Sequence, residues 1–178
     1  MNNATRSTSR AAFTLLELLA VLTLIVIFSA IVIVSLQGPI RRAQLQTTVD
    51  HIIHTDQRQR AKSSRSRLGR RIVIDLSAQA IHVIEDDTRT ITARWQVPEP
   101  IQIVELNVAG RRLVQGITEI EIDEYGHSPT YAIHIKGTGE DDTWLLFAGM
   151  SGQASRFQDT DHVKKVIQDV FKAGSNPS

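Results

Sequence analysis

Phe13-Thr14-Leu15-Leu16-Glu17-Leu18-Leu19-Ala20-Val21-Leu22 starts an apolar run that continues to Leu36, and between Thr14 and Leu36 the single charged residue is Glu17. As a helix rising about 1.5 Å per residue, such a run is long enough to cross a bilayer core about 30 Å thick. A carboxylate inside a membrane segment costs several kcal/mol, about 2.5–3.5 on insertion scales, so it is expected to have a task and a cationic partner. Ahead of the run stand Arg6, Arg10 and, at its border, the small residue Ala12. A secretory signal peptide fits poorly, because its apolar part spans about 7–15 residues and ends at an Ala-x-Ala-like site. No such site follows Leu36. Charge alone does not orient the span, since Arg6 and Arg10 precede it and Arg41 and Arg42 follow it closely.

The short leader, Ala12, and then Phe13-Thr14-Leu15-Leu16-Glu17 in register with the apolar run resemble the type III signal of type IV pilins and type II secretion pseudopilins. The resemblance implies cleavage between Ala12 and Phe13 by a prepilin peptidase, which also methylates the new amino terminus of Phe13. It implies that Glu17, fifth counting from Phe13, pairs with the α-amino group of a neighbouring subunit during assembly. Where the family usually has glycine before the cut, this sequence has Ala12.

After Gly38-Pro39, where a proline kinks or ends a helix, residues 40–64 contain no Gly or Pro. Leu45, Val49, Ile52 and Ile53 recur at three- and four-residue intervals, which predicts one buried stripe on an amphipathic helix. From Arg70 the period becomes two. The segments 71–76, 80–84, 90–97, 101–108, 117–123, 131–136 and 144–148 are short, β-branched or aromatic, and bounded by turn residues, as antiparallel strands are. Toward the end, Val163, Val166, Ile167, Val170 and Phe171 predict a second amphipathic helix, stopped by Gly174 and Pro177. The expected organisation is a leader at 1–12, a membrane-spanning helix at 13–36, its amphipathic continuation at 37–66, an antiparallel β domain at 67–158, a terminal helix at 159–173 and a disordered tail at 174–178. The expected fold class is α+β, a long amino-terminal membrane-spanning helix packed on a small antiparallel β-sheet domain, with a carboxyl-terminal helix.

The β region carries a second resemblance. Ala61 to Leu76, Ile122 to Pro129 with Tyr131 to Ile135, and Gly152 to Phe157 are similar to the helix-to-strand junction, the Gly-centred turn and the closing strand of H-type minor pseudopilins. The terminal helix is not part of what that resemblance implies.

Other clusters leave alternatives open. Arg58, Arg60, Lys62, Arg65, Arg67, Arg70 and Arg71 form a basic run with no acidic residue inside it. It suits a solvated or subunit-pairing surface, a contact with the acidic 119–124 region of a neighbour, or nucleic acid phosphates, although it lacks interleaved aromatics. The net charge of +1 gives no global pull toward polyanions. His51 and His54 share a helical face, but no third metal ligand is forced beside them, and the acidic turns at 86–87 and 140–142 lack an EF-hand pattern. With no cysteine, disulfides and thiolate zinc sites are excluded. No Gly-x-Ser-x-Gly, His-Glu-x-x-His or phosphate-binding glycine loop occurs, so neither catalytic residues, metal nor cofactor are expected.

The reading is therefore a structural subunit, pseudopilin-like, in a periplasmic pseudopilus or pilus for type II protein secretion. The resemblance implies a single-pass inner-membrane location with the domain in the periplasm. Its implied partners are other pseudopilins or pilins, prepilin peptidase, the inner-membrane assembly platform and membrane lipid; nucleic acid is not expected. The rival readings are an uncut, membrane-anchored binding or sensing module and a DNA-uptake minor pilin.

Overall fold

The structure, a computed structural model, describes residues 15–85, 90–138 and 141–158 together with Val163, Lys165, Val166 and Asp169, without the side chains of 30–37. Ala12, Phe13 and, within the expected terminal helix, Ile167, Val170 and Phe171 lie outside the described residues. The chain divides into two compact units, residues 1–40 and 41–178.

One helix, α1 (Leu15–Ser66), contributes to both units, and it continues through Pro39. In the first unit, every described side chain from Leu15 to Ser29 is exposed, although nearly all are apolar. Among the described residues no helix is long and apolar enough to cross a membrane. Of the expected span 13–36, side chains are described only for 15–29.

In the second unit the chain forms β1 (Arg70–Asp75), β2 (Ala80–Glu85), β3 (Thr90–Gln96), β4 (Gln102–Val108), β5 (Arg111–Leu113), β6 (Ile117–Ile122), β7 (Tyr131–Lys136), β8 (Asp142–Phe147) and β9 (Ala154–Phe157). All pairings are antiparallel. The strands divide between two sheets, ordered β3-β2-β1-β6 and β5-β4-β7-β8-β9. β1–β2–β3 and β7–β8–β9 are local meanders, each strand pairing with the next in sequence. The β1–β6 and β4–β7 pairings join strands distant in sequence and close the two sheets.

Alternation along the strands builds one core. Ile72 and Ile74 of β1, Ile120 and Ile122 of β6, Ile133 and Ile135 of β7, and Leu145 and Phe147 of β8 belong to one buried cluster with Leu45, Val49 and Ile52 of α1. Ile53, expected in the same stripe, is only partly buried at its edge. Gln79 staples the sheets together at the β1–β2 turn: its Nε2 donates to the carbonyls of Leu76 (2.6 Å) and Ile103 (2.9 Å), and its Oε1 accepts from the Ile103 amide (2.6 Å). These bonds hold Gln79 in the left-handed region, at φ 51°, a conformation that L-residues otherwise avoid.

The other face of the second sheet carries a separate, smaller cluster. Ala132, Trp144 and Val163 are buried together there, with Leu146 and Phe157 packed against them. Val163, Lys165, Val166 and Asp169 are helical, with Val163 buried, Val166 half-buried and Lys165 and Asp169 exposed.

Candidate functional site

Within the second unit, α1 turns a stripe inward that begins apolar and ends polar. Leu45, Val49 and Ile52 are followed at helical spacing by Asp56, Gln59, Arg60 and Ser63, all buried. Asp56 and Arg60, four residues apart, form an ion pair with Nε to Oδ2 at 2.7 Å and side chains only 1% and 8% exposed. Arg60 Nη1 donates to the carbonyls of Gly126 (3.1 Å) and Gly149 (2.8 Å), and Nη2 donates to Ser128 Oγ (2.7 Å). The Tyr131 hydroxyl donates to Asp56 Oδ1 at 2.7 Å. One turn further, Ser63 Oγ lies within hydrogen-bond reach of the carbonyls of Leu68 (2.6 Å) and Asp123 (2.5 Å). Buried charges are tolerated only when paired and hydrogen-bonded, and this network meets that condition while fastening α1 to two loops of the β domain.

Burial, and then the adjacent Asp56 carboxylate, push the Tyr131 phenol well above its usual pKa. It therefore stays protonated and remains a donor to Asp56. Gly149 must be glycine for the loop to pass so close: a Cβ there would lie 2.1 Å from the Ser128 carbonyl oxygen. At Gly152, φ is 67° and a Cβ would lie 2.9 Å from Arg60 Cδ. Both glycines thus leave room for the guanidinium and the loop around it.

The basic run is not one surface. Arg60 sits in the buried network, and Arg70 is buried with its Nη2 donating to Glu85 Oε1 at 2.5 Å. These two residues, expected among surface contacts, face inward, because the run passes from a helix through a turn into a central strand. Arg71 is half-buried and pairs within its own chain, with Glu119 at 3.2 Å and Glu121 at 3.9 Å. Arg67, just past the helix at φ 55°, places its guanidinium over the Tyr125 ring, 5.3 Å from the centroid. Arg58, Lys62 and Arg65 remain exposed on α1.

Several of the other candidates are partnered within the fold. His51 stacks on Trp95 of β3 with ring centroids 4.3 Å apart. Burial, Arg58 and His54 lower its pKa. His54 is exposed. Arg42 approaches Asp141 at 3.9 Å and Arg156 Nη1 donates to Gln46 at 2.6 Å across a polar cleft of about 460 Å³. Asp142 pairs with His134. Among the described residues no group of three or more His, Asp or Glu could hold a metal ion. Glu17 lies in the first turn of α1, on the exposed apolar stretch.

No protein-family model matches the chain, and no curated protein matches it in sequence. Solved structures do match its fold. A crystal structure of the minor pseudopilin EpsH from the type II secretion system of Vibrio cholerae superposes with a TM-score of 0.51 at 8% identity, covering 65% of this chain and 96% of that one. A second structure of the same minor pseudopilin gives a TM-score of 0.51 at 9% identity, covering 64% and 95%. The chain therefore has the fold of a minor pseudopilin, α+β with an amino-terminal helix on antiparallel sheets.

Proposed function

We propose that this chain is a minor-pseudopilin-like structural subunit that assembles with other pseudopilins in a type II secretion system and catalyses no reaction itself. One observation carries the reading. A helix whose outer part is apolar and exposed, with a carboxylate in its first turn, continues into the core of a domain with the minor pseudopilin fold. Exposed apolar surface of that extent calls for lipid or a bundle of like helices. In this reading the apolar helix holds the subunit in the inner membrane with its domain in the periplasm. Prepilin peptidase cuts between Ala12 and Phe13, and the amine of Phe13, methylated, meets Glu17 of a neighbour on the assembly platform. The ion pair sets register between subunits more than it adds stability.

The amino-terminal mass of the membrane-extracted protein tests the processing step. A chain beginning at methylated Phe13 is expected, whereas one beginning at Met1 or Asn2 would replace this reading with an uncut membrane anchor. Replacing Glu17 with Gln tests the pairing. Insertion should be unimpaired, because a group costing about 2.5–3.5 kcal/mol in the membrane is removed. Cleavage should persist while incorporation into filaments, measured on sheared and sedimented material, falls. Normal incorporation of Glu17→Gln would rule out the pairing.

A further inference from the structure

We propose that the exposed cationic stripe Arg58–Lys62–Arg65 docks against the acidic outer row of β6, Glu119 and Glu121 with Glu124, of a second copy of this chain. At roughly 100° per residue these three cations fall within about 60° of one another on α1, on the side away from the buried stripe Val49, Ile52, Asp56, Gln59 and Ser63. None of the three has an ion-pair partner in its own chain among the described residues. The stripe is thus a set of like charges held in one line by a helix whose opposite face is fixed.

The complementary row is on the same molecule, on β6 and the turn that follows it. β6 is an edge strand, and its alternate residues Ile117, Glu119 and Glu121 point outward while Ile120 and Ile122 enter the core. Glu119 and Glu121 have side chains 48% and 75% exposed, and Glu124 is exposed in the turn that follows. Arg71 supplies one guanidinium between the two β6 carboxylates, so the row keeps a negative excess. The spacings agree. Arg58 and Lys62, four apart on the helix, are separated by about 6 Å along its axis, close to the roughly 6.6–6.8 Å between alternate residues on a strand, while Arg65 follows three residues on, about 4.5 Å further. A helix laid along the outer face of β6 therefore brings Arg58 and Lys62 opposite the two β6 carboxylates, with Arg65 toward an end of the row.

A second protein copy fits this stripe better than a polyanion does. The molecule's net charge of +1 exerts no long-range pull on DNA or anionic lipid, so a local stripe needs a local complement. The stripe also lacks aromatic residues to stack on bases. Repeated in one direction, a contact between the stripe of one copy and the row of the next gives a ring or an open filament; made reciprocally, it gives a two-fold dimer. It stands on the charge pattern of the second unit and does not require processing at Phe13 or the pairing of Glu17.

The chain has no cysteine, which makes cross-linking between copies selective. Full-length Lys62→Cys and full-length Glu121→Cys, mixed in detergent micelles, should join through a short bis-maleimide in clear preference to Lys62→Cys mixed with Arg111→Cys, an exposed position on the other sheet. Each chain then carries one cysteine, and only mixed dimers, told apart by mass from dimers of like copies, count. The yield should drop several-fold when salt shortens the Debye length from about 10 Å to about 3 Å. Adding Arg58→Glu and Arg65→Glu to the Lys62→Cys chain should abolish the preference, and adding Glu119→Lys to the Glu121→Cys chain should restore it. Equal yields with the Arg111→Cys control, or no response to charge reversal, would overturn the proposal. So would a stripe reversal that leaves the cross-link intact but removes binding to phosphatidylglycerol vesicles or to a DNA duplex, which would assign the stripe to that polyanion.

Discussion

Replacing Arg60 with alanine is expected to destabilise the second unit by about 3–5 kcal/mol, the cost of leaving one member of a buried ion pair without its partner. The guanidinium is bonded to Asp56 and also satisfies the carbonyls of Gly126 and Gly149 and the hydroxyl of Ser128. Without it, a carboxylate 1% exposed keeps one donor, the Tyr131 hydroxyl, and two loops lose their tie to α1. At about 2–4 °C per kcal/mol for a chain of this size, thermal unfolding should begin roughly 6–20 °C lower. Arg58→Ala, two residues away on the exposed face, should change stability by no more than about 0.5 kcal/mol. The double change Arg60→Met with Asp56→Leu should cost less than the sum of the single changes, because it removes both charges together. Melts of Arg60→Ala and Arg58→Ala that coincide would show that the network does not hold α1 in solution.

That contrast also marks the limit of the sequence reading. A run of cations adjacent in sequence reads as one patch, but a helix distributes neighbours around its axis and a turn redirects those that follow. Arg60 and Arg70 thus go inward while Arg58, Lys62 and Arg65 go outward. The signal that could have separated them is the buried stripe itself. Its spacing continues from Leu45, Val49 and Ile52 onto Asp56, Arg60 and Ser63, but periodicity judged by apolar residues alone stops at the first polar member.

The longer strands were legible because alternation with β-branched residues is a local property, and seven segments read as strands match β1–β4 and β6–β8 to within two residues at each end. β5 is three residues, Arg111-Arg112-Leu113, too short to show a period, and it exists because the Ala109-Gly110 turn folds it back on β4. β9 has intermediate burial throughout, so no alternation signals it, and only the resemblance to H-type minor pseudopilins pointed there. The division into two sheets depends on β1 pairing with β6 and β4 with β7, long-range choices that no local pattern encodes. For Glu17 the case rests on register with Phe13 and the apolar run, which sequence supplies directly and which concerns a neighbour rather than the fold of one chain.

Trp144→Ala is expected to have an effect of similar size to Arg60→Ala, about 3–5 kcal/mol, and by a different route. Trp144 is 2% exposed and points away from the main core, since its neighbours Leu145 and Phe147 occupy the alternate positions of β8. Its ring stacks on His134, centroids 4.3 Å apart and planes 6° from parallel, and Val163 of the terminal segment closes over it. Removing the indole takes the largest side chain out of the cluster that Val163 joins, so the loss should be felt in the terminal segment first. Hydrogen exchange at the Val163 and Val166 amides should accelerate in Trp144→Ala well before the strands β1 and β7 lose protection. Lys165→Ala, on the exposed side of the same segment, should alter neither exchange nor stability beyond about 0.5 kcal/mol. If exchange at Val163 is fast in the unaltered protein and Trp144→Ala leaves it unchanged, the segment is not held by this cluster in the isolated subunit. The outer face of the second sheet would then be an apolar surface open to another protein.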